Sequence, residues 1–379
     1  MDSGKVTILV LLDLSSAFDC IDKFILFDIL RHMGIRGSAL AWLVDYLSNR
    51  TQSVTVRMEA SQKMPVTFGV PQGSVLGPLL FSIYLTGLRD VISKHNIPHI
   101  VYADDIQLFI SATPQLLSTS IRQIEDCIRD IFEWLCSMKL MLNAKKTEVI
   151  LLGSDHALSK CQFPGINVCG NLILPSKHVK SLGVILDCNL SMALHVNKIR
   201  ASSFSRIKLI ARVRKNLNQK RACLLVKTLV LPHIYYCVSL LAGINSTLTM
   251  KLQRIVNSSI RLVHRIPKYN SIPQSLAQAQ WPPVEVLIKL GTMRILFGVL
   301  KYSKPIFLHS LVSAHSSGRG LRSDEQSLLA IPRTHRTAGD RAFRVFGPRL
   351  WNSLPELVKR QLRYDTFLAE CMKFFLSSD

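Results

Sequence analysis

Apolar and polar positions follow two different periods along the first half of the chain. Val6-Thr7-Ile8-Leu9-Val10-Leu11-Leu12 is an almost unbroken apolar run that ends on Asp13, the pattern of a central strand with a carboxylate at its end. Ile100-Val101 and Ile106-Gln107-Leu108-Phe109-Ile110 flank Tyr102-Ala103-Asp104-Asp105, and a strand-turn-strand hairpin would hold both acids at its bend. Leu26, Ile29, Leu30 and Met33 recur at helical spacing and stop at Gly34, and Leu40, Leu43, Val44 and Leu47 repeat the pattern, so two helices are expected. Gln52 to Met58 and Met64 to Phe68 predict a β-hairpin, and a helix is expected from Pro78 to about Ile92. Leu117, Ile121, Ile124, Ile128, Ile131 and Leu135 alternate steps of four and three, which predicts one long helix laid across the sheet. Two short strand pairs are expected between about Val149 and Leu186. The fold class is therefore α+β, an antiparallel sheet with helices on one face.

From about residue 191 the strand pattern stops. His195 to Asn216 reads as a helix, with further helices expected at about 219–242, 248–265 and 283–301 and a closing amphipathic helix from Val358 to Leu376. Ser310 to Ser327 is rich in Ser, Gly and polar residues and reads as a linker. These patterns divide the chain into 1–190, 191–309, 310–327 and 328–379.

Charge sharpens that division. Residues 1–190 carry seventeen basic and seventeen acidic side chains, so the net charge of +22 lies wholly in the second half. Seven cations fall between Lys198 and Lys215, including Lys198, Arg200, Arg206, Arg212 and Arg214, and further on Arg341 and Arg344 interleave with Phe343 and Phe346. A basic face binds phosphates by releasing counterions, and arginines among aromatics can also stack on bases. A solvated helix face and a small packed subdomain are the competing structural readings. A membrane is not expected as a partner, because the most apolar stretch, Leu229 to Ile244, is short and contains Pro232 and His233. Nine scattered cysteines without a Cys-x-x-Cys pair suit a reducing compartment, so an intracellular location, nuclear or cytoplasmic, is expected. At 379 residues and 48% hydrophobic, the chain is long enough for two or three domains.

Adjacent carboxylates repel, and burial beside apolar residues raises their pKa further unless a cation lies between them. Alone, Asp104-Asp105 would fit an exposed turn. Asp13, at the end of a second strand, changes the picture. Three acids delivered to one place would be a two-metal site for phosphoryl displacement, and hard oxygen ligands favour Mg²⁺ over zinc.

Five segments then fall in order: Asp13-Leu14-Ser15-Ser16-Ala17-Phe18-Asp19; Gly69-Val70-Pro71-Gln72-Gly73-Ser74-Val75-Leu76-Gly77-Pro78-Leu79-Leu80-Phe81; Tyr102-Ala103-Asp104-Asp105; Lys146-Thr147-Glu148 before Val149-Ile150-Leu151-Leu152-Gly153; and Ser181-Leu182-Gly183-Val184. Together they resemble the successive palm motifs of a reverse transcriptase, and the long second segment resembles the LINE-type (non-LTR) retrotransposon branch. The resemblance implies a palm, then a helical basic thumb that grips the primer-template, and RNA-directed DNA synthesis on an RNA template and DNA primer with deoxynucleoside triphosphates. It assigns Asp13 and Asp104 as ligands of two Mg²⁺ ions, for which Mn²⁺ could substitute, with Asp105 as the third acid. Phe18 matches the ring that abuts the incoming sugar and excludes a 2′-hydroxyl; apart from the motif it would read as a core aromatic. Gln72 and Gly73 match the turn under the template and nascent pair, Tyr102 a substrate contact, and Lys146 the lysine near the pyrophosphate leaving group.

Only twelve residues precede Asp13, with Lys5 the sole cation among them, whereas the family places a basic fingers region upstream. This suggests a truncated copy or a late start, with little or no primer extension by the chain as given. The alternative to an active polymerase is a catalytically inactive, nucleic-acid-binding retrotransposon remnant.

Overall fold

The computed structural model describes residues 4–272, 275–276, 279–315 and 327–377. They fall into two compact units that meet in sequence at Leu182 and Gly183.

The first unit is built on a four-stranded sheet. Its strands are β1 (Val6–Leu12), β2 (His99–Tyr102), β3 (Asp105–Ala112) and β4 (Glu148–Leu152). Their spatial order is β2-β3-β1-β4, antiparallel at every junction. The apolar run of β1 sits at an interior position because both its edges are paired. Leu12 faces Ile106, Val10 faces both Leu108 and Val149, and Ile8 faces Ile110 and Leu151. These cross-strand neighbours share one face of the pleat, and Val6, Ile8, Val10 and Leu12 are each at most 2% exposed there.

Helices cover that face: α1 (Lys23–His32), α2 (Gly37–Leu47), α3 (Gly77–Tyr84), α4 (Leu88–Ser93) and α5 (Leu117–Ser137). The long helix has the predicted stripe, and Ile124, Ile128, Ile131 and Leu135 join the core of β1 and β3. The helix expected from Pro78 to Ile92 is two helices. It stops at Tyr84, where the Thr86 hydroxyl donates to the Ile83 carbonyl and competes with helix continuation. The hairpin expected after residue 51 is a pair of two-residue ladders, Thr51–Gln52 with Met64–Pro65 and Thr55–Val56 with Glu59–Ala60, all exposed. Both expected strand pairs have their strands: Ile166–Val168 pairs with Asn171–Ile173, and His178–Ser181 and Val184–Asp187 are the other two.

The second unit is mainly helical: α6 (Ala193–Val213), α7 (Gln219–Leu229), α8 (Ser246–His264), α9 (Val284–Tyr302), α10 (Phe343–Ser353) and α11 (Tyr364–Ser377). Asp187 organises the entry to α6, accepting from the Ser191 and Met192 amides and the Ser191 hydroxyl. Ile199 and Ile210 of α6 pack with Leu252, Ile255 and Ile260 of α8, while Phe297, Trp351 and Phe367 form a second cluster. The single helix expected over 219–242 ends at Leu229. Pro232 opens a separate turn, Pro232–Tyr235, as a residue without a backbone N–H must. The closing helix starts at Tyr364 rather than Val358, which lies in the short helix Glu356–Lys359. Most of the expected linker, residues 316–326, lies outside the described residues. Among the described helices none is long and apolar enough to cross a membrane.

Candidate active site

The sheet register brings the acids to one end. Asp13 follows the last residue of β1, and because Leu12 is paired with Ile106, Asp105 at the start of β3 stands beside it. Tyr102 pairs with Asp105 across the hairpin, so Ala103 and Asp104 form a two-residue bend, with Ala103 at φ +52°. The bend delivers Asp104 to the cleft that Asp13 enters. This cleft, of about 530 Å³, is lined by Asp13, Phe18, Gln72, Gly73, Asp104 and Lys146 among others. Two expected members do not line it. Tyr102 is 64% exposed, and Asp105 stands at the first position of β3 just outside.

The electrostatics of this end are unbalanced. Asp13 Oδ2 is buried and accepts no hydrogen bond, and Lys146 Nζ lies 3.8 Å away, too far to donate one. Burial first, and then the Asp104 and Asp13 charges, push the Asp105 carboxyl above its ordinary value. A carboxylate oxygen withdrawn from water without a donor is costly and fits a hard divalent cation. Among the described residues no three acidic, His or Cys side chains enclose such an ion by themselves. Mg²⁺ ordinarily takes one or two carboxylates and completes its shell with water and substrate phosphates, and Asp13 and Asp104 fit that arrangement.

The Asp105 shift carries a pH dependence with a definite sign. Below the ordinary carboxylate range the group is protonated in folded and unfolded chain alike. As pH rises through that range the unfolded chain ionises first, so the folded state loses stability until Asp105 ionises too, and the deficit persists at higher pH. Asp105→Asn therefore raises the melting temperature at pH 7 in cation-free buffer and has little effect near pH 3. Thermal melts at the two pH values check this; an unchanged or lower melting temperature at pH 7 would show that burial and the neighbouring acids do not disfavour the Asp105 charge.

Phe18 is fixed from below. Its ring stacks on Phe81 with centroids 4.4 Å apart and planes 18° off parallel, and Phe81 is fully buried. The loop carrying Gln72 is fastened to the Phe18 segment, since Val70 N donates to Phe18 O, Gly69 N to Ile21 O, and Gln72 Nε2 to Asp19 Oδ1 at 2.8 Å. Gly69 has φ +84° and passes so close that a Cβ would lie 3.0 Å from the Asp19 backbone, a position open only to glycine. Gly73 has φ +73° but open space around it, so its backbone angle, rather than crowding, calls for glycine.

In the second unit, Lys198, Arg200, Arg206 and Arg212 are exposed on α6, and Arg344 is exposed on α10. Arg200 stands over the Phe204 ring at 6.0 Å, a cation–π contact. Two residues expected to face phosphates have other work. Arg214 is buried and donates to the carbonyls of Leu262, Val263 and Leu217 at 2.7–2.8 Å. Arg341 is half-buried and donates to Ala242 O and Leu190 O, pinning the entry to α10 to the loops that precede α8 and α6. Their guanidinium groups hold the fold.

Sequence reasoning quoted Asp19 and Phe81 only as motif members and gave no role to them or to Asn143, Asp22 and Lys139, all of which touch or support the cleft walls. Asp22 carried a usable signal, an acid at the start of an apolar helix. Asp19, Phe81 and Lys139 did not, because their partners are distant in sequence.

The reverse transcriptase (RNA-dependent DNA polymerase) family matches residues 1–186. The chain is similar to the RNA-directed DNA polymerase from mobile element jockey of Drosophila funebris, 26% identical over 234 residues, or 59% of this chain and 25% of that protein. It is also similar to a probable RNA-directed DNA polymerase from transposon BS of Drosophila melanogaster, 29% identical over 183 residues, 47% of this chain and 19% of that protein. The chain thus spans a quarter or less of the length of these two relatives. Telomerase of Candida tropicalis, solved with a fragment of telomeric RNA, matches at a TM-score of 0.36 and 11% identity over 80% of this chain and 49% of that one.

Proposed function

Residues 1–186 belong to the reverse transcriptase family, with similarity to the polymerases of non-LTR (LINE-type) retrotransposons, and on that premise we propose that the cleft at the end of β1 and β3 transfers deoxynucleotides to a primer 3′-hydroxyl on an RNA template. The observation that carries the reading is the buried, donorless oxygen of Asp13 in one cleft with Asp104 and Lys146. Asp13 and Asp104 would hold Mg²⁺ or Mn²⁺, and that cation would neutralise triphosphate charge and favour the ionised primer hydroxyl. Lys146 Nζ places a positive charge at the cleft wall, where it can stabilise or protonate the departing pyrophosphate. Phe18, held flat on Phe81, offers a rigid edge against a ribose 2′-hydroxyl. The 71–77 turn, tied to Asp19 through Gln72, supports the templating pair.

The second unit takes the part of a thumb in this reading. Its exposed cations on α6 would follow the phosphates of the primer-template duplex, and residues 328–379 would extend that basic surface. The partners are then an RNA template, a DNA primer and deoxynucleoside triphosphates, and the site of action is inside the cell, in nucleus or cytoplasm. Extension of oligo-dT on poly-A with Mg²⁺ or Mn²⁺ tests the proposal. Cation-dependent incorporation supports it. Tight, salt-sensitive binding of the duplex without incorporation would favour the inactive nucleic-acid-binding remnant instead.

A further inference from the structure

Residues 138–147, which carry Lys146, leave α5 and return to β4 along the cleft. Their middle runs antiparallel to the segment just beyond β1. Ser15 N donates to Met141 O at 2.8 Å, Leu14 and Leu142 form an isolated bridge, and Asn143 N donates to Asp13 O at 2.8 Å. Asn143 then shapes the turn. Its carbonyl accepts from Lys146 N, Thr147 N and the Thr147 hydroxyl, and its side-chain oxygen also accepts from Lys146 N. The position of Lys146 relative to Asp13 therefore depends on where residues 138–143 lie.

That start is held by a group 117 residues away in sequence. Lys139, at φ +55°, donates to Asp22 Oδ2 at 2.6 Å. The Tyr84 hydroxyl donates to Met138 O at 2.6 Å and accepts from Asp22 N at 3.3 Å. Asp22 Oδ1 caps α1, accepting from Phe24 N and Ile25 N. The two oxygens thus have separate tasks: one starts a helix, the other holds a lysine. Burial works against the Asp22 charge, but the Lys139 amine and the Ile25 and Phe24 amides outweigh it and hold the carboxyl below its ordinary value. A helix cap does not need a buried ion pair, since Asn caps as well as Asp. The Lys139 side chain is 61% exposed and the Asp22 side chain 4%, so the lysine would be solvated without the pair, and what the pair fixes is the backbone of the loop.

We propose that Asp22, acting through Lys139 and beside Tyr84, is a positioning residue that fixes the distance between Lys146 and Asp13. The proposal rests on the nucleotidyl-transfer reading of the cleft and deepens it. A charge at a leaving group acts only from a defined place, and a displacement on the order of 1 Å can cost ten- to a hundredfold in rate.

Single-nucleotide incorporation by the whole chain tests it. Asp22→Asn keeps the cap and weakens the pair; Lys139→Asn removes the cation and tolerates the left-handed backbone. Each is expected to lower kcat by about tenfold with KM changed less than about twofold. Lys146→Ala should lower kcat in the same way, and adding Asp22→Asn to it should lower kcat no further, because the two act in series. Lys139→Arg, which keeps the pair, should recover most of the rate lost in Lys139→Asn. A full additive loss in the double variant, or an undiminished kcat in both single variants, would overturn the proposal. Amide hydrogen exchange gives a reading independent of activity: exchange at Ser15 and Asn143 should accelerate in both single variants while the β1–β3 ladder stays protected. Where the unaltered chain incorporates too little to measure, the clamp still stands or falls on whether those two amides are released.

Discussion

Replacing Asp104 with Asn is expected to lower deoxynucleotide incorporation by about a thousandfold or more, without weakening the fold. Asn keeps the shape of the side chain at the hairpin bend but removes the charge on which cation binding depends. Removing even one preorganised donor from a transition-state site costs on the order of a hundred- to a thousandfold, and losing a ligand of the ion that neutralises the triphosphate should cost at least as much. The Asp104 charge also acts on Asp105, whose carboxyl it helps push above its ordinary value. Asp104→Asn should therefore leave the cation-free melting temperature unchanged or slightly raised while the rate collapses. Parallel rate and melting measurements separate the two effects. A variant that melts early and is slow for that reason would not support the assignment.

The second large effect is one of stability and falls on Arg214. Its guanidinium satisfies three carbonyls, two of them at the C-terminal end of α8. Truncation to Ala removes charge-assisted bonds and leaves those carbonyls without partners in a buried place. Bonds to charged groups contribute about 1.5–3 kcal/mol each, and breaking a buried charged network costs about 3–5 kcal/mol. Arg214→Ala should therefore destabilise the second unit by about 3 kcal/mol or more in urea unfolding. Arg212, two residues earlier, is exposed. Arg212→Ala should change stability by less than about 0.5 kcal/mol and lower the slope of log affinity for nucleic acid against log salt by about one. The same small stability change in both variants would mean that the Arg214 bonds are not holding α8.

The contrast between these two arginines shows where sequence reading stops. Seven cations lie between Lys198 and Lys215, and nothing in one dimension tells which of them the fold turns inward. Arg214 is taken by the end of α8, nearly fifty residues further on; Arg341 is taken by carbonyls about 100 and 150 residues earlier. The sheet was more legible because its rule is local. An apolar run ending in Asp13 and a hairpin bending at Asp104 point both acids to one sheet end from local pattern alone. The α5 stripe was equally plain. Breaks were harder: Pro232 carried its own warning, while the stop after Tyr84 depends on the Thr86 hydroxyl. The cleft acids were readable, but the network that aims them was not. Asp22 and Lys139 look like a helix cap and a surface lysine until the fold brings them within 2.6 Å.

Asp13 and Asp104 are expected to hold a divalent cation in this cleft, and its location can be read without any turnover. Fe²⁺ substitutes readily for Mg²⁺ at oxygen sites, and with ascorbate and peroxide it cuts the backbone beside the place where it binds. Cuts are expected close to Asp13 and to Asp104-Asp105, suppressed by excess Mg²⁺ and lost in Asp104→Asn. An unaltered cutting pattern in Asp104→Asn, or no cutting at either segment, would contradict it.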